Sequence, residues 1–456
     1  MATTTSDTSG QVVEDVERPP VTIDAFYGLI TLGSSTLWAV LSGWLLYFYQ
    51  PPDGQLLVPA ARYSAALLIT RIFNALATPF IGYWSDHVRT RWGRRLPFIF
   101  ASGLPLLVFF VMIWTPPVQG ESTWNLVYLV VVLAFYNLAY SFNQIPYTAL
   151  LPELALTDHH RVRISAWTSS FFLVGMSISA LAGPLIERVG YSGMALSYAI
   201  LGLPLFYLPF LVLRERPGRY QSSSKGWNFL DDLRDLFRNR AFVVMSLTGI
   251  FFWSTSTFVQ SVVPYIVTEI CLLEEGDTLY FYGPALLVSL LCYPLITWLA
   301  DRFGKWRVFA GSLLASAVVL PGLMLIGDWL PLSLRAQGVV WISLQAAVMS
   351  GVTMLPPAFG AEIADHGAEL TGERREGTYY ATWGLLDQII NGVAFSAIPL
   401  LLLLGRSHTD PRGPLGVRLV GLIGGVMMFA GFLVFLKYPL RGRGTTGALS
   451  EAEVNP

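Results

Sequence analysis

What most restricts this chain is the regular return of apolar runs long enough to cross a bilayer. A hydrocarbon core about 30 Å thick takes about 20 apolar residues as a helix, and runs near that length recur from residue 24 to residue 438. They are continuous rather than alternating, so they read as helices and not as the strands of a barrel. In lipid the backbone must also bond to itself, which favours the same choice. Twelve spans are predicted. The first six are 24–49, 60–84, 97–115, 123–150, 165–186 and 192–213, and the second six are 241–268, 279–300, 306–328, 337–361, 378–404 and 415–438. A mean hydropathy of +0.54 with only 13% charged residues excludes an ordinary soluble globule. The expected fold class is an all-α membrane protein.

Basic residues orient the spans. With both termini inside, 22 of the 29 Lys and Arg fall on inner segments, while Arg62, Arg188, Arg335, Arg406, Arg412 and Arg418 fall outside and Arg71 lies within a span. That distribution favours an N-in, C-in arrangement in the cell (inner) membrane. Residues 1–23 form a polar, acidic tail without the basic and then apolar regions of a signal peptide. A polar break at 214–240, amphipathic from Trp227 onward, separates a bundle over 24–213 from one over 241–438, and 439–456 form a second tail. The amphipathic part could lie on the inner membrane surface or pack beneath the bundle. Cys271 and Cys292, the only two cysteines, have no metal-ligand spacing and read as packing residues.

One stretch stands out against this apolar background. "GYWSDHVRTRWGRRLP", residues 82–97, sets Asp86 and four Arg between the second and third spans. A weaker echo, "DRFGKWR", occupies 301–307 between the eighth and ninth, so Asp301 and Arg302 stand at the matching place. Two repeats of this kind place a substrate site between halves. Gly82, Asp86, Gly93, Arg94 and Arg95 resemble the loop signature of the major facilitator superfamily. "NQIPYTALLPELALTDHHRVRIS" from Asn143 and "AEIADHGAELTGERREGTYY" from Ala361 are similar to connections in its glycoside-pentoside-hexuronide:cation symporters, the melibiose permease-like group.

The resemblance implies two six-helix bundles rocking about a central cavity, often carrying Na+ or H+ with a sugar. It also implies that Asp86 and the Arg pair latch the inner helix ends and stabilise the outward-open state, with Gly82, Arg91, Gly93, Asp301 and Arg302 as further members. A purely topological role for these charges is the alternative. The chain departs from the group where cation and sugar bind. The pattern "RIWDAINDP" becomes "RIFNALATP" at 71–79, leaving Asn74 and Thr78 in place of two carboxylates. Hard cations prefer anionic oxygens, so H+ is the expected coupling ion rather than Na+. Ser35, Gln144 and Ser170 stand where the resemblance would put charged sugar-binding groups. Amides and hydroxyls still bond sugar hydroxyls.

Helical spacing gathers the remaining polar residues. Asn137, Tyr140, Ser141 and Gln144 fall on one face of the fourth span, Trp253, Thr257 and Gln260 on one face of the seventh, and Tyr380, Trp383, Asp387 and Asn391 on one face of the eleventh. Such stripes line a cavity or bind helices together. Arg71 and Asp387 both fall near the membrane midplane, where a lone charge costs about 2.5–3.5 kcal/mol on insertion scales. They are candidates to pair, directly or through substrate, and Asp387 is the candidate proton carrier. Pro146, Pro264, Pro294 and Pro356 mark expected bends.

Enzyme readings fail. His159 and His160 are adjacent and expected in a loop, a poor metal pair, and no phosphate-binding loop supports an ATP-driven pump. The expected function is secondary transport of a small polar solute, a sugar or glycoside, by a monomer. The alternatives are a facilitator or exporter of an amphiphilic, lipid-like molecule, and a non-transporting sensor on the same fold. The bilayer and a small-molecule substrate are the expected partners, with no nucleic acid, metal or resident cofactor.

Overall fold

The computed structural model describes residues 21–52, 55–88, 90–154, 158–215, 238–327, 329–371, 392–404 and 414–440. Among them the secondary structure is helical apart from one isolated bridge, Thr90 to Gly93. The first set comprises α1 (Val21–Tyr49), α2 (Ala60–His87), α3 (Leu96–Ile113), α4 (Thr123–Leu154), α5 (Asp158–Ser179) and α6 (Ala182–Tyr207). The second comprises α7 (Arg240–Tyr265), α8 (Leu279–Phe303), α9 (Lys305–Val319), α10 (Leu334–Met354), α11 (Gly392–Leu402) and α12 (Leu415–Phe435). Ten of the described helices are long and apolar enough to cross a membrane. α5 is not among the ten, and the described part of α11 is short.

Local chemistry sets several ends. Asn239 caps α7 by accepting from the backbone N–H groups of Ala241 and Phe242, and Ser333 caps α10 by accepting from Ala336. Gly304, at φ +86°, ends α8 and begins α9 in a conformation that favours glycine. Pro356 opens a further helix, Pro356–Thr371, after a break at Leu355. Pro264 is followed by a π-helical turn, Ile266–Ile270.

The break between the fifth and sixth spans falls at Gly190, φ +72° and non-helical, inside the predicted polar stretch at 187–191, so the helix range Ala182–Tyr207 runs across it. Tyr198 donates back to the Ile178 carbonyl at 2.9 Å, which requires the chain to reverse between them, and Ala180–Leu181 is a local irregularity before that reversal. The predicted loop at 159–164, by contrast, forms the first turns of α5, so His160 is borne on a helix.

Packing repeats between the two sets. α2 lies on α4 as α8 lies on α10, α3 on α4 and α6 as α9 on α10 and α12, and α1 on α6 as α7 on α12. Aromatic residues fill each set. Trp114 stacks on Tyr191 and Tyr49 donates to the Ile113 carbonyl in the first, and Phe309, Phe359, Phe435 and Tyr438 cluster in the second. The sets meet chiefly through α1 against α7.

Candidate functional site

The centre of the first set is a layer of uncharged polar side chains. Ser141 on α4 donates to the Asn74 side-chain oxygen on α2 at 2.9 Å, and Thr78 donates to the Asn74 carbonyl at 2.9 Å. Gln144 on α4 donates to Ser34 on α1 at 2.6 Å and to the neighbouring Asn143 oxygen at 3.1 Å. Asn143 in turn donates to the Ile99 carbonyl and Ser102 hydroxyl of α3, each at 3.3 Å. An unmet polar group in an apolar interior is costly, and these bonds meet that cost among four helices. The carboxylates of α1, α2 and α4 are Asp24, Asp86 and Glu153, in the first turn of α1 and the last turns of α2 and α4.

The predicted stripe on α4 is therefore partly joined. Ser141 and Gln144 meet α2 and α1, Tyr140 stacks near Tyr136 at 6.3 Å, and Asn137 is buried. On α7, Thr257 is buried, Trp253 is half-buried against Phe252, and Gln260 is half-buried.

Arg71 links the sets. Its guanidinium carbon sits 5.5 Å from the Phe395 ring of α11, and a Cβ on Gly392 would lie 2.9 and 3.0 Å from its Cβ and Cγ. A glycine is needed for α11 to approach α2 this closely. Tyr380, Trp383, Asp387 and Asn391 lie outside the described residues, and the Arg71–Asp387 pairing lies there with them.

Toward the C-terminal ends of α1 and α7 the sets are sewn together. Tyr265 donates to the Gln50 carbonyl at 2.7 Å and Ser261 to the Ser42 carbonyl at 3.0 Å, while Tyr47 meets Tyr265 edge-on at 4.9 Å. Tyr191 of α6 donates to Glu275 at 3.0 Å, across from the helix Glu275–Thr278 that precedes α8. A cavity of about 330 Å³ lies in this seam, lined by Tyr47, Glu187, Thr268, Glu274 and Glu275 among others.

Between α2 and α3 the charged loop is organised by a residue that sequence reasoning missed. The Glu215 carboxylate, just past α6, accepts from the backbone N–H groups of Arg94 at 2.6 Å, Arg95 at 2.7 Å and Leu96 at 2.5 Å. It thereby caps the positive end of α3. Gly93, at φ +110°, has no room for a Cβ against Glu215. The buried Arg95 guanidinium donates to the Ala149 carbonyl of α4. Gly82 packs near Ile145 of α4, and Arg91 stacks over Trp92 at 5.4 Å. The Asp86 side chain is outside the described residues.

In the second set Asp301 is exposed, Arg302 covers Trp298 and Phe303, and Lys305 pairs with Glu362 at 2.7 Å. A second cluster was also unforeseen. Asp24 of α1 is fully buried and bonds His160 of α5 at 2.8 Å and the Arg163 guanidinium. A lone carboxylate in the first span and cations at the start of the fifth were the signals available.

Repeated helix packing around an uncharged polar layer, within an array of membrane-length helices, defines a multi-pass membrane transporter rather than an enzyme. Residues 26–441 match the family described as MFS/sugar transport protein, and the chain belongs to it. It is 26% identical over 432 residues to a glucuronide carrier protein homolog of Escherichia coli K12, covering 91% of each chain. It is 27% identical over 300 residues to an isoprimeverose transporter of Lactiplantibacillus pentosus, covering 63% of this chain and 61% of that one. In fold it is similar to the nucleoside transporter NupG, with a TM-score of 0.64 at 15% identity, covering 91% of this chain and 100% of that one.

Proposed function

We propose that the chain is a secondary transporter of a sugar or glycoside, working by alternating access. In this reading two six-helix halves, 24–213 and 241–438, are joined by a cytoplasmic linker at 214–240, giving twelve spans with both termini inside. The observation that carries it is the layer formed by Ser34, Asn74, Ser141 and Gln144. Amides and hydroxyls both donate and accept, which suits a polyhydroxylated solute, and uncharged groups suit a neutral one. Names among the relatives, a glucuronide carrier homolog and an isoprimeverose transporter, support the same substrate class.

H+ is favoured over Na+ as the coupling ion. The Asn74 side-chain oxygen already accepts from Ser141, and Thr78 donates to the Asn74 carbonyl, so the segment holds neutral and engaged groups where Na+ would need free oxygens. Asp387 is the proposed proton carrier. The test is uptake by proteoliposomes of a panel of sugars and glycosides against amphiphiles, under imposed H+ or Na+ gradients. Sugar uptake driven by H+ and lost in Asp387→Asn is expected. Preference for amphiphiles overturns the substrate class, and full H+-driven uptake by Asp387→Asn overturns the coupling role.

A further inference from the structure

We propose that Asn137 of α4 selects the solute, by hydrogen-bonding one hydroxyl of a neutral sugar. The proposal rests on the sugar-transport reading and adds to it the residue that discriminates and the chemical group it reads.

Asn137 differs from its neighbours in what it lacks. Gln144 is bonded to Ser34 and Asn74 to Ser141, so a solute that bonds either one displaces a protein partner. The Asn137 side chain is 7% exposed, and among the described residues its amide N–H groups meet no acceptor. A buried amide left unmet is costly, and native structures keep few such groups. Ser64 and Tyr136 also carry an unmet buried hydroxyl. Of the three, Asn137 lies on the face of α4 that carries the polar layer.

That face leads inward to it. Thr148, Gln144, Tyr140 and Asn137 follow one another about a turn apart along α4. Burial deepens in the same order, from the exposed Thr148 through the half-buried Gln144 and Tyr140 to the buried Asn137. A cleft open beside Thr148 and closing at Asn137 has this profile.

Register shows what else stands there. α2 runs alongside α4 in the same direction, since Ser141 meets Asn74 and Ile145 packs near Gly82. One turn back from the Asn74–Ser141 bond, Arg71 and Asn137 therefore share a level. α1 runs the opposite way, with Tyr27 against Tyr147 and Ser34 against Gln144. The half-buried Trp38, one turn beyond Ser34, thus falls near the level of Tyr140. Two aromatic residues and one unmet amide fit the usual form of a small-molecule pocket, apolar walls with a few placed polar groups.

The amide also names the group it takes. A carboxamide donates at one end and accepts at the other, and a hydroxyl does both, so a sugar hydroxyl serves whichever end is turned toward it. Because no protein bond is broken, the hydroxyl gains what the empty site forgoes, and a deoxy analogue forfeits it.

The test is uptake by proteoliposomes of glucose, galactose, xylose and their methyl glycosides, and of each monodeoxy analogue of the sugar taken up. Asn137→Leu removes the amide at nearly constant volume, and Asn137→Ala removes it with less bulk. Each is expected to raise the KM for that sugar about tenfold or more. One deoxy analogue should show the same loss in the unaltered protein and no further loss in either variant. Sugar-free Asn137→Leu should melt no lower than the unaltered protein, whereas Ser141→Ala, which breaks a bond within the protein, should melt lower. If both Asn137 variants keep the original KM, or if every deoxy penalty persists in them, the assignment is overturned while sugar transport stands. If the unaltered protein takes up none of these sugars or glycosides, the transport reading falls and the assignment with it.

Discussion

Glu215 offers a sharp test of how the charged loop between α2 and α3 is held. Its carboxylate accepts three backbone N–H groups at the start of α3, at 2.6, 2.7 and 2.5 Å. Arg95 is the N-cap and Leu96 the first residue of α3, whose N–H groups find no acceptor within the helix, and Arg94 directly precedes them. Glu215→Ala returns all three to partial solvation. With about 1 kcal/mol net for each bond, discounted from charge-assisted values because the site is only half-buried, the loss is about 3 kcal/mol. A factor of ten for each 1.4 kcal/mol makes that roughly a hundredfold. The assay is amide hydrogen exchange on the purified protein in nanodiscs. Residues 94–96 should exchange about a hundredfold faster in the variant, while amides in the middle of α10 should not change. Glu215→Gln, which keeps acceptor oxygens but not the charge, should fall between. Unchanged exchange at 94–96 in Glu215→Ala would refute the capping argument.

Other outcomes follow from the same geometry. Asp24→Asn removes the charge that His160 and Arg163 share in a fully buried site, so thermal denaturation should show a loss of about 3–5 kcal/mol, against almost none for the exposed Asp301→Asn. Ser141→Ala leaves the Asn74 side-chain oxygen without that donor, and stability measured the same way should fall by about 1 kcal/mol. Gly392→Val places new atoms within 3.0 Å of the Arg71 side chain, so uptake of the transported solute should drop about tenfold or more as α11 is pushed from α2.

The spans were legible because hydropathy sums over about 20 residues, and that sum is insensitive to any one side chain. It found the break at Gly190, and it failed where polar residues belong to a helix, as at His160. Helical spacing located Ser141 and Gln144, since residues three, four and seven apart share a face. Ser34, the partner of Gln144, was hidden in "GSST", one of several small polar residues on α1. Glu215 was out of reach for a different reason. It meets Arg94 across 121 positions of chain, and only the packing of α6 beside α3 brings them together.

The bonds within the uncharged layer have a consequence for how tightly any cargo is held. Gln144 already has Ser34, and Asn74 already has Ser141. A solute entering there trades one partner for another, and a trade of like bonds yields little net free energy. Such a site is suited to modest affinity and quick release, so its design favours flux over capture.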